Sequence, residues 1–420
     1  MTSRPRPARR VAATLGGVLA LAVAGCSGAT PTSPPSTGGG LAPSSSSAAP
    51  TTATPSASSV PSPTATPSCV DQTEAALSED QRIGQLLMVG FDTNASLSSL
   101  DDEIVRDHIG NVIYLGGWYG ADKVTRTSEH LQGLVSQDAT GGVGLLVAAD
   151  QEGGEVHQLR GDGFTRPPTA REQARMSSAA LTRAATGWAR ELKAAGVNVN
   201  LAPVTDTVPA DLGRGNAPIG KYARQYGSDP ATVERASKAF IIGMLQGGVE
   251  ATVKHFPGLG RIRNNTDFSA TGITDDTTSA TDPYLQPFRA GVDAGAGLVM
   301  VGSARYTQLD PGVPAMFSKP IVTDLLRGDL GYDGVVITDD VNAKAVAATP
   351  PAQRAIKVVE AGGDIILTGD ASVAPQMAAA LAARAAADPT FQGLVDASVT
   401  RVLTLKDRMG LLSCSRGPQD

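Results

Sequence analysis

Asp150, Asp206, Lys254, His255, Ser303, Asp339 and Asp340 each stand at or just beyond the end of a strand-length run of apolar residues. Carboxylates, an amine, an imidazole and a hydroxyl recurring at that place can supply proton transfer and paired hydrogen bonds to a polar ligand. Taken singly, an Asp just after a strand is as readily the N-cap of the next helix, and that is the plain reading of Asp340 and Asp370. Seven such positions in one chain point to a shared site. The four His, at 108, 130, 157 and 255, show no metal-ligand spacing, so no metal and no cofactor is expected. No G-x-G-x-x-G follows a strand and no G-x-x-x-x-G-K-[ST] occurs, which removes the dinucleotide and P-loop readings.

The elements that must carry these residues are eight apolar runs, at 85–91, 109–115, 143–150, 197–203, 250–256, 297–303, 334–340 and 363–369. Most are continuously apolar rather than alternating, as strands buried on both faces must be, and each is followed by a turn and usually a helical pattern. The clearest helix opens at Asp229-Pro230, with an N-cap Asp, Pro in the first turn and Gly after the end. The pattern predicts an α/β fold, a (β/α)8 TIM barrel forming a single catalytic domain, with the site at the carboxyl ends of the strands. A doubly wound sheet is the runner-up for such an alternation.

The first 68 residues read differently. From Ser27 to Ser68, 40 of 42 residues are Ser, Thr, Pro, Ala or Gly and none is charged, so this stretch has too little apolar surface to fold and is expected to be a flexible tether. Upstream, Arg4, Arg6, Arg9 and Arg10 precede an uncharged run from Val11 to Gly25, shorter than the ~20 residues a membrane helix needs, which reads as an export signal. LAVAGCSG around Cys26 resembles a bacterial lipoprotein signal, cleaved before the Cys that is then acylated. Three segments follow: a lipoprotein signal peptide at 1–25, a lipidated Cys26 with its tether at 26–68, and the barrel domain at 69–420. The expected location is the outer face of the cell membrane, held through the lipid anchor only.

Beyond residue 68 the chain carries 31 basic against 41 acidic side chains, so nucleic acid is not an expected partner. Only Cys69 and Cys414 remain there, and in an oxidising compartment they are expected to pair; two free thiols are the alternative. Their bond would contribute roughly 4–5 kcal/mol by closing a very long loop. A monomer is expected.

Across residues 75 to 412 the chain resembles glycoside hydrolase family 3, in its single-domain bacterial β-N-acetylglucosaminidase branch. IGQLLMVGF, AADQEGGEVHQLRGDGFTRPP, GVNVNLAPVTD, RQYGSDP, VKHFPGLGR and PAMFSKPIVTDLLRGDLGYDGVVITDD occur in the family's order. The resemblance implies a retaining exo-glycosidase acting on an amino-sugar glycan, with Asp339 as the nucleophile that forms a glycosyl-enzyme. It assigns the grip on the terminal sugar to Asp150, Arg160, Arg224, Lys254 and His255. Arg224 stands two residues beyond the family's usual spacing, which makes Arg214 the alternative. Asp340 is expected to point to another face and to support. Glu152 is read either as a loop carboxylate bonded to nearby backbone or as a direct catalytic group.

In that branch KHFPG continues as His-Gly, and a loop Asp-x-His supplies the acid/base. Here Leu259 takes the first position and Asn265-Thr266-Asp267 takes the place of Asp-x-His, so Asp267 is the expected acid/base. Ser303 stands where the branch commonly has a His and is expected to alter the pocket wall. Two functions follow: a cell-surface enzyme releasing terminal β-linked N-acetylglucosamine from peptidoglycan-derived fragments, or a lipid-anchored carbohydrate-binding barrel with little turnover. Transfer of the sugar to phosphate is a lesser third.

Overall fold

A computed structural model describes residues 67–414. The export signal, Cys26 and the tether as far as residue 66 lie outside the described residues. Eight strands form one parallel sheet: β1 (Leu87–Asp92), β2 (Asn111–Leu115), β3 (Leu146–Ala149), β4 (Val199–Asn200), β5 (Glu250–Phe256), β6 (Leu298–Val301), β7 (Val335–Thr338) and β8 (Ile366–Thr368). Their order is β7-β6-β5-β4-β3-β2-β1-β8, and a parallel bridge from Ile337 to Ile365 returns β7 to β8. The sheet is therefore closed, and the (β/α)8 barrel is the fold.

Each strand lies inside its predicted run or oversteps it by one residue. β3, β6 and β7 are buried along their whole length, which is why their sequences are unbroken Leu, Val, Ala, Met and Ile apart from the closing Thr338. β4 is the shortest because Pro203 offers no N–H to the ladder; pairing resumes where Val204 bridges Lys254.

Outside the barrel, α1 (Cys69–Ala76), α2 (Ala121–Gly133), α3 (Ser178–Ala194), α4 (Pro230–Gln246), α5 (Gln286–Asp293), α6 (Pro351–Ala361), α7 (Ala374–Ala387) and α8 (Pro389–Arg408) cover the strands. Asp229 caps α4 by accepting from the Thr232 N–H at 2.9 Å, with Pro230 in the first turn and Gly247 after the last, as the sequence specifies. The run KPIVTDLLRGDLG forms a π-helical segment, Pro320–Asp329, rather than a regular α-helix. Ser68, placed by composition at the end of the tether, caps α1 through the Asp71 N–H at 3.1 Å. Cys69 and Cys414 are disulfide-bonded with their Cα atoms 5.7 Å apart, fastening α1 to the chain that leaves α8. Among the described residues no helix is long and apolar enough to cross a membrane.

Candidate active site

The carboxyl ends of the strands surround a cavity of about 360 Å³. Asp150, Arg224, Lys254, His255, Asp267 and Asp339 all line it, so six of the seven residues singled out for catalysis and sugar binding come together. Its base is a chain of charges. Asp150 and Glu152 stand two apart on an extended segment and therefore reach the same side. Both accept from the Lys254 ammonium, at 2.5 and 2.7 Å, and Glu152 also takes a two-pronged bond from Arg224, at 2.9 and 2.7 Å. Burial alone would raise the Glu152 pKa, but Arg224 and Lys254 outweigh it and hold the carboxyl at about 2. Burial and the Arg224 charge would lower the Lys254 pKa, but Asp150 and Glu152 outweigh them and keep it above its ordinary value. Glu152 is thus neither a loop carboxylate bonded to local backbone nor a group facing the reacting atoms. It joins two cations that a sugar's hydroxyls would otherwise have to bridge. Glu152→Gln is expected to cost about 3–5 kcal/mol, because it leaves Lys254 with Asp150 alone and Arg224 with no ion-pair partner among the described residues. The check is a lower urea midpoint with an unchanged slope; a loss under about 1 kcal/mol would show that the network does not brace the pocket.

Asp206 received no role from the sequence beyond its place at a strand end. It is fully buried, accepts from His255 Nδ1 at 2.8 Å and from the His255 and Leu259 backbone N–H groups at 3.2 and 2.6 Å. The carboxylate fixes the imidazole with its Nδ1 proton toward Asp206 and leaves Nε2, 3.5 Å from Arg224 Nη2, on the cavity side. The two loops that deliver Arg224 and Asp267 are fastened by buried Asn216. Its amide donates to the carbonyls of Leu259, Gly260 and Ile262 and accepts from the N–H groups of Ile219 and Gly220. Gly260 is required there, since a side chain would run into the Thr207 carbonyl.

Asp339 leaves the end of β7 with its N–H bonded to the Val301 carbonyl at 2.9 Å, and its Oδ1 accepts from the Asp340 N–H at 3.0 Å. No basic side chain pairs with it among the described residues, which leaves a carboxylate able to attack. Asp267 faces the same cavity from the loop after β5. The residue is exposed, but partial desolvation of its carboxyl where it faces the cavity, and then the Asp339 charge, push its pKa up to about 6, against the opposing pull of His255 and Arg224. The Asp267 N–H donates to Asn265 Oδ1 at 2.8 Å, while the carbonyls of Thr266 and Asp267 accept from Ala345 and Lys344 at 3.0 and 3.1 Å. The loop is strapped to the segment that follows Asp339 and Asp340.

Four expectations need correction. Arg160 does not line the cavity: it is exposed on the short strand Leu159–Arg160, where alternation buries Leu159 and turns Arg160 outward, and its Nε donates to the His157 carbonyl at 2.9 Å. Arg214, the alternative to Arg224, is exposed in a turn away from the cavity. Ser303, two residues past the end of β6 at Val301, is wholly buried and forms no part of the wall, where Met300 stands instead. Asp340 lines the same cavity as Asp339 because β7 has ended at Thr338, so strict alternation no longer applies. Its Oδ1 accepts from the Asn342 and Gly369 N–H groups at 2.8 and 3.1 Å, which holds the β7 and β8 loops together. Asp370 caps the turn at Ala371–Val373. Among the described residues no group of His, Cys, Asp and Glu is arranged to hold a metal ion.

The Glycosyl hydrolase family 3 N terminal domain matches residues 78–405. The chain is 36% identical over 233 residues to a Beta-hexosaminidase of Stenotrophomonas maltophilia (strain K279a), covering 53% of this chain and 66% of that protein, so it spans just under two thirds of that relative's length. A Beta-hexosaminidase of Xylella fastidiosa (strain M23) is 34% identical over 264 residues, covering 61% of this chain and 76% of the other. The solved Beta-N-acetylhexosaminidase from Beutenbergia cavernae DSM 12333 is similar with a TM-score of 0.77 and 50% identity, covering 79% of this chain and 99% of that one. A family 3 beta-N-acetylglucosaminidase from Paenibacillus sp. str. FPU-7 has a TM-score of 0.72 and 32% identity, with coverage of 82% and 65%.

Proposed function

We propose, from the premise that the chain belongs to glycosyl hydrolase family 3, that it is a retaining exo-acting β-N-acetylglucosaminidase. The observation that carries the reading is the placement in one cavity of a carboxylate with no basic partner, Asp339, and a carboxyl whose pKa is raised to about 6, Asp267. Asp339 attacks the anomeric carbon while Asp267 gives its proton to the departing oxygen; the glycosyl-enzyme is then hydrolysed by water that Asp267, now ionised, deprotonates. Asp150, Lys254, Arg224 and His255 present fixed donors and acceptors to the hydroxyls of the terminal sugar, already oriented before substrate arrives. The relatives named as hexosaminidases support an N-acetylated hexosamine in that place.

The natural substrates on this reading are cell-wall fragments with a terminal β-linked N-acetylglucosamine. The Arg-led apolar segment, LAVAGC and the Ser/Thr/Pro/Ala-rich tether support a lipid anchor at Cys26 and a position at the outer face of the cell membrane. The test is incubation of the full chain with 4-nitrophenyl β-N-acetylglucosaminide, with and without inorganic phosphate. Release of free N-acetylglucosamine at a rate indifferent to phosphate is expected. Sugar phosphate as the product would make the protein a phosphorylase, and binding of N-acetylglucosamine without turnover would make it a carbohydrate-binding barrel.

A further inference from the structure

We infer that Phe268 forms the platform for the sugar residue that leaves, and that this second seat, with Glu155 on its wall, takes an uncharged hexosamine ring in preference to an acidic one. The inference rests on the glycosidase reading above. An acid that protonates the glycosidic oxygen must sit where the leaving group departs, so the leaving ring lies on the Asp267 side of the cavity. The residue immediately after Asp267 is Phe268. It is 80% exposed, and of the six exposed large hydrophobic residues in the described chain it alone lines the cavity. It does not hang free, because the Thr266 and Asp267 carbonyls are bonded to Ala345 and Lys344. A fixed, uncovered aromatic face beside the bond to be cut suits the apolar C–H face of a pyranose. Val156, Pro218 and Tyr222 line the same cavity and add apolar surface to it.

The charges decide what kind of ring fits. The basic groups that line the cavity are Lys254, Arg224 and His255, and all three are already partnered: Lys254 with Asp150 and Glu152, Arg224 with Glu152, His255 with Asp206. Lys221 lies over the Tyr222 ring at 5.2 Å and Lys344 is exposed, but neither lines the cavity. Glu155 lines it, exposed and with no ion pair. A leaving sugar with a free carboxylate would therefore meet like charge with no unpaired cation to offset it, whereas the same sugar with that carboxyl capped as an amide would not. Among cell-wall fragments the seat favours N-acetylglucosamine, or an amide-capped lactyl sugar, over the free lactyl acid.

The experiment compares kcat/KM for four substrates: N-acetylglucosaminyl fluoride, which fills no second seat, N,N′-diacetylchitobiose, and the N-acetylglucosaminyl-muramic acid disaccharide as free acid and as lactyl methylamide. The wild-type protein is expected to prefer the methylamide to the acid by about fivefold at low salt, with Glu155→Gln bringing the two within about twofold. Phe268→Ala is expected to lower the ratio of each disaccharide to the fluoride by about tenfold. Equal use of acid and amide by the wild type, or an unchanged disaccharide-to-fluoride ratio in Phe268→Ala, would overturn the inference. If even the fluoride is untouched, the glycosidase reading has failed instead, and the seat is then read by titration calorimetry with sulfur-linked chitobiose and N-acetylglucosamine. Phe268→Ala weakening the disaccharide about tenfold more than the monosaccharide sustains it, and equal weakening overturns it.

Discussion

Asp339→Ala is expected to lower kcat/KM for 4-nitrophenyl β-N-acetylglucosaminide by on the order of 10⁴-fold, with the fold intact. The cause is geometric. Asp339 is held at the end of β7 by its N–H bond to Val301; of the other carboxylates that line the cavity, Asp340 is engaged by two loop N–H groups, Asp150 is tied to Lys254, and Glu155 and Asp267 stand in turns of other loops. Removing the side chain leaves a gap that a small anion can enter, so azide should restore part of the turnover and give the α-glycosyl azide, of opposite configuration to the substrate. Loss of less than about tenfold, with an unchanged near-ultraviolet dichroism spectrum, would place the nucleophile elsewhere.

Asp267→Ala should separate two leaving groups. With 4-nitrophenol, which needs a proton, kcat/KM is expected to fall by about 10²–10⁴-fold, and with 2,4-dinitrophenol, which leaves unaided, far less. The pH profile carries the same signature. Asp267 acts as an acid only while protonated, and partial desolvation together with the Asp339 charge places its pKa at about 6, so wild-type kcat/KM should fall as pH rises through about 6. That limb should vanish in the variant. The raised pKa also has a sign for stability: the folded state prefers the protonated carboxyl, and this contribution is complete below the ordinary value of 3.8 and lost as pH rises through about 6. Asp267→Asn should therefore melt at the same temperature as wild type near pH 4 and at a higher one above pH 6, a trade of stability for chemistry. Equal losses with both leaving groups would make Asp267 a structural residue.

The barrel was legible because burial on both faces forces continuous apolar runs, and that signal survives without knowledge of what the strands touch. Lys254, His255 and Asp339 were legible for a related reason: the end of a barrel strand is a place the sequence marks directly. Glu152 was not, since its role depends on Arg224, 72 residues away, and on Lys254, and spacing along the chain says nothing of either. A signal was nevertheless present in the two-residue offset of Asp150 and Glu152, which puts two carboxylates on one side of an extended segment. Arg160 lies one position off the buried side of its short strand, and Ser303 lies beyond the end of β6, where the run of apolar residues no longer says which way a side chain turns. The standing of Asp267 as an acid needed the fold outright: Asn216 and the strap to Lys344 and Ala345 hold the loop that brings its carboxyl near Asp339, and that neighbour together with desolvation raises its pKa.

The measurement that bears most directly on the central claim is capture of the covalent intermediate. Incubation with 5-fluoro-N-acetylglucosaminyl fluoride slows breakdown of the glycosyl-enzyme, and mass spectrometry of the digested protein then locates the sugar. One 5-fluoro-N-acetylglucosaminyl group per chain, on Asp339 within the peptide that contains GVVITDD, with the anomeric fluoride released, is the predicted result. Turnover of the 4-nitrophenyl substrate with no label on any residue, or a label on a residue other than Asp339, would contradict it.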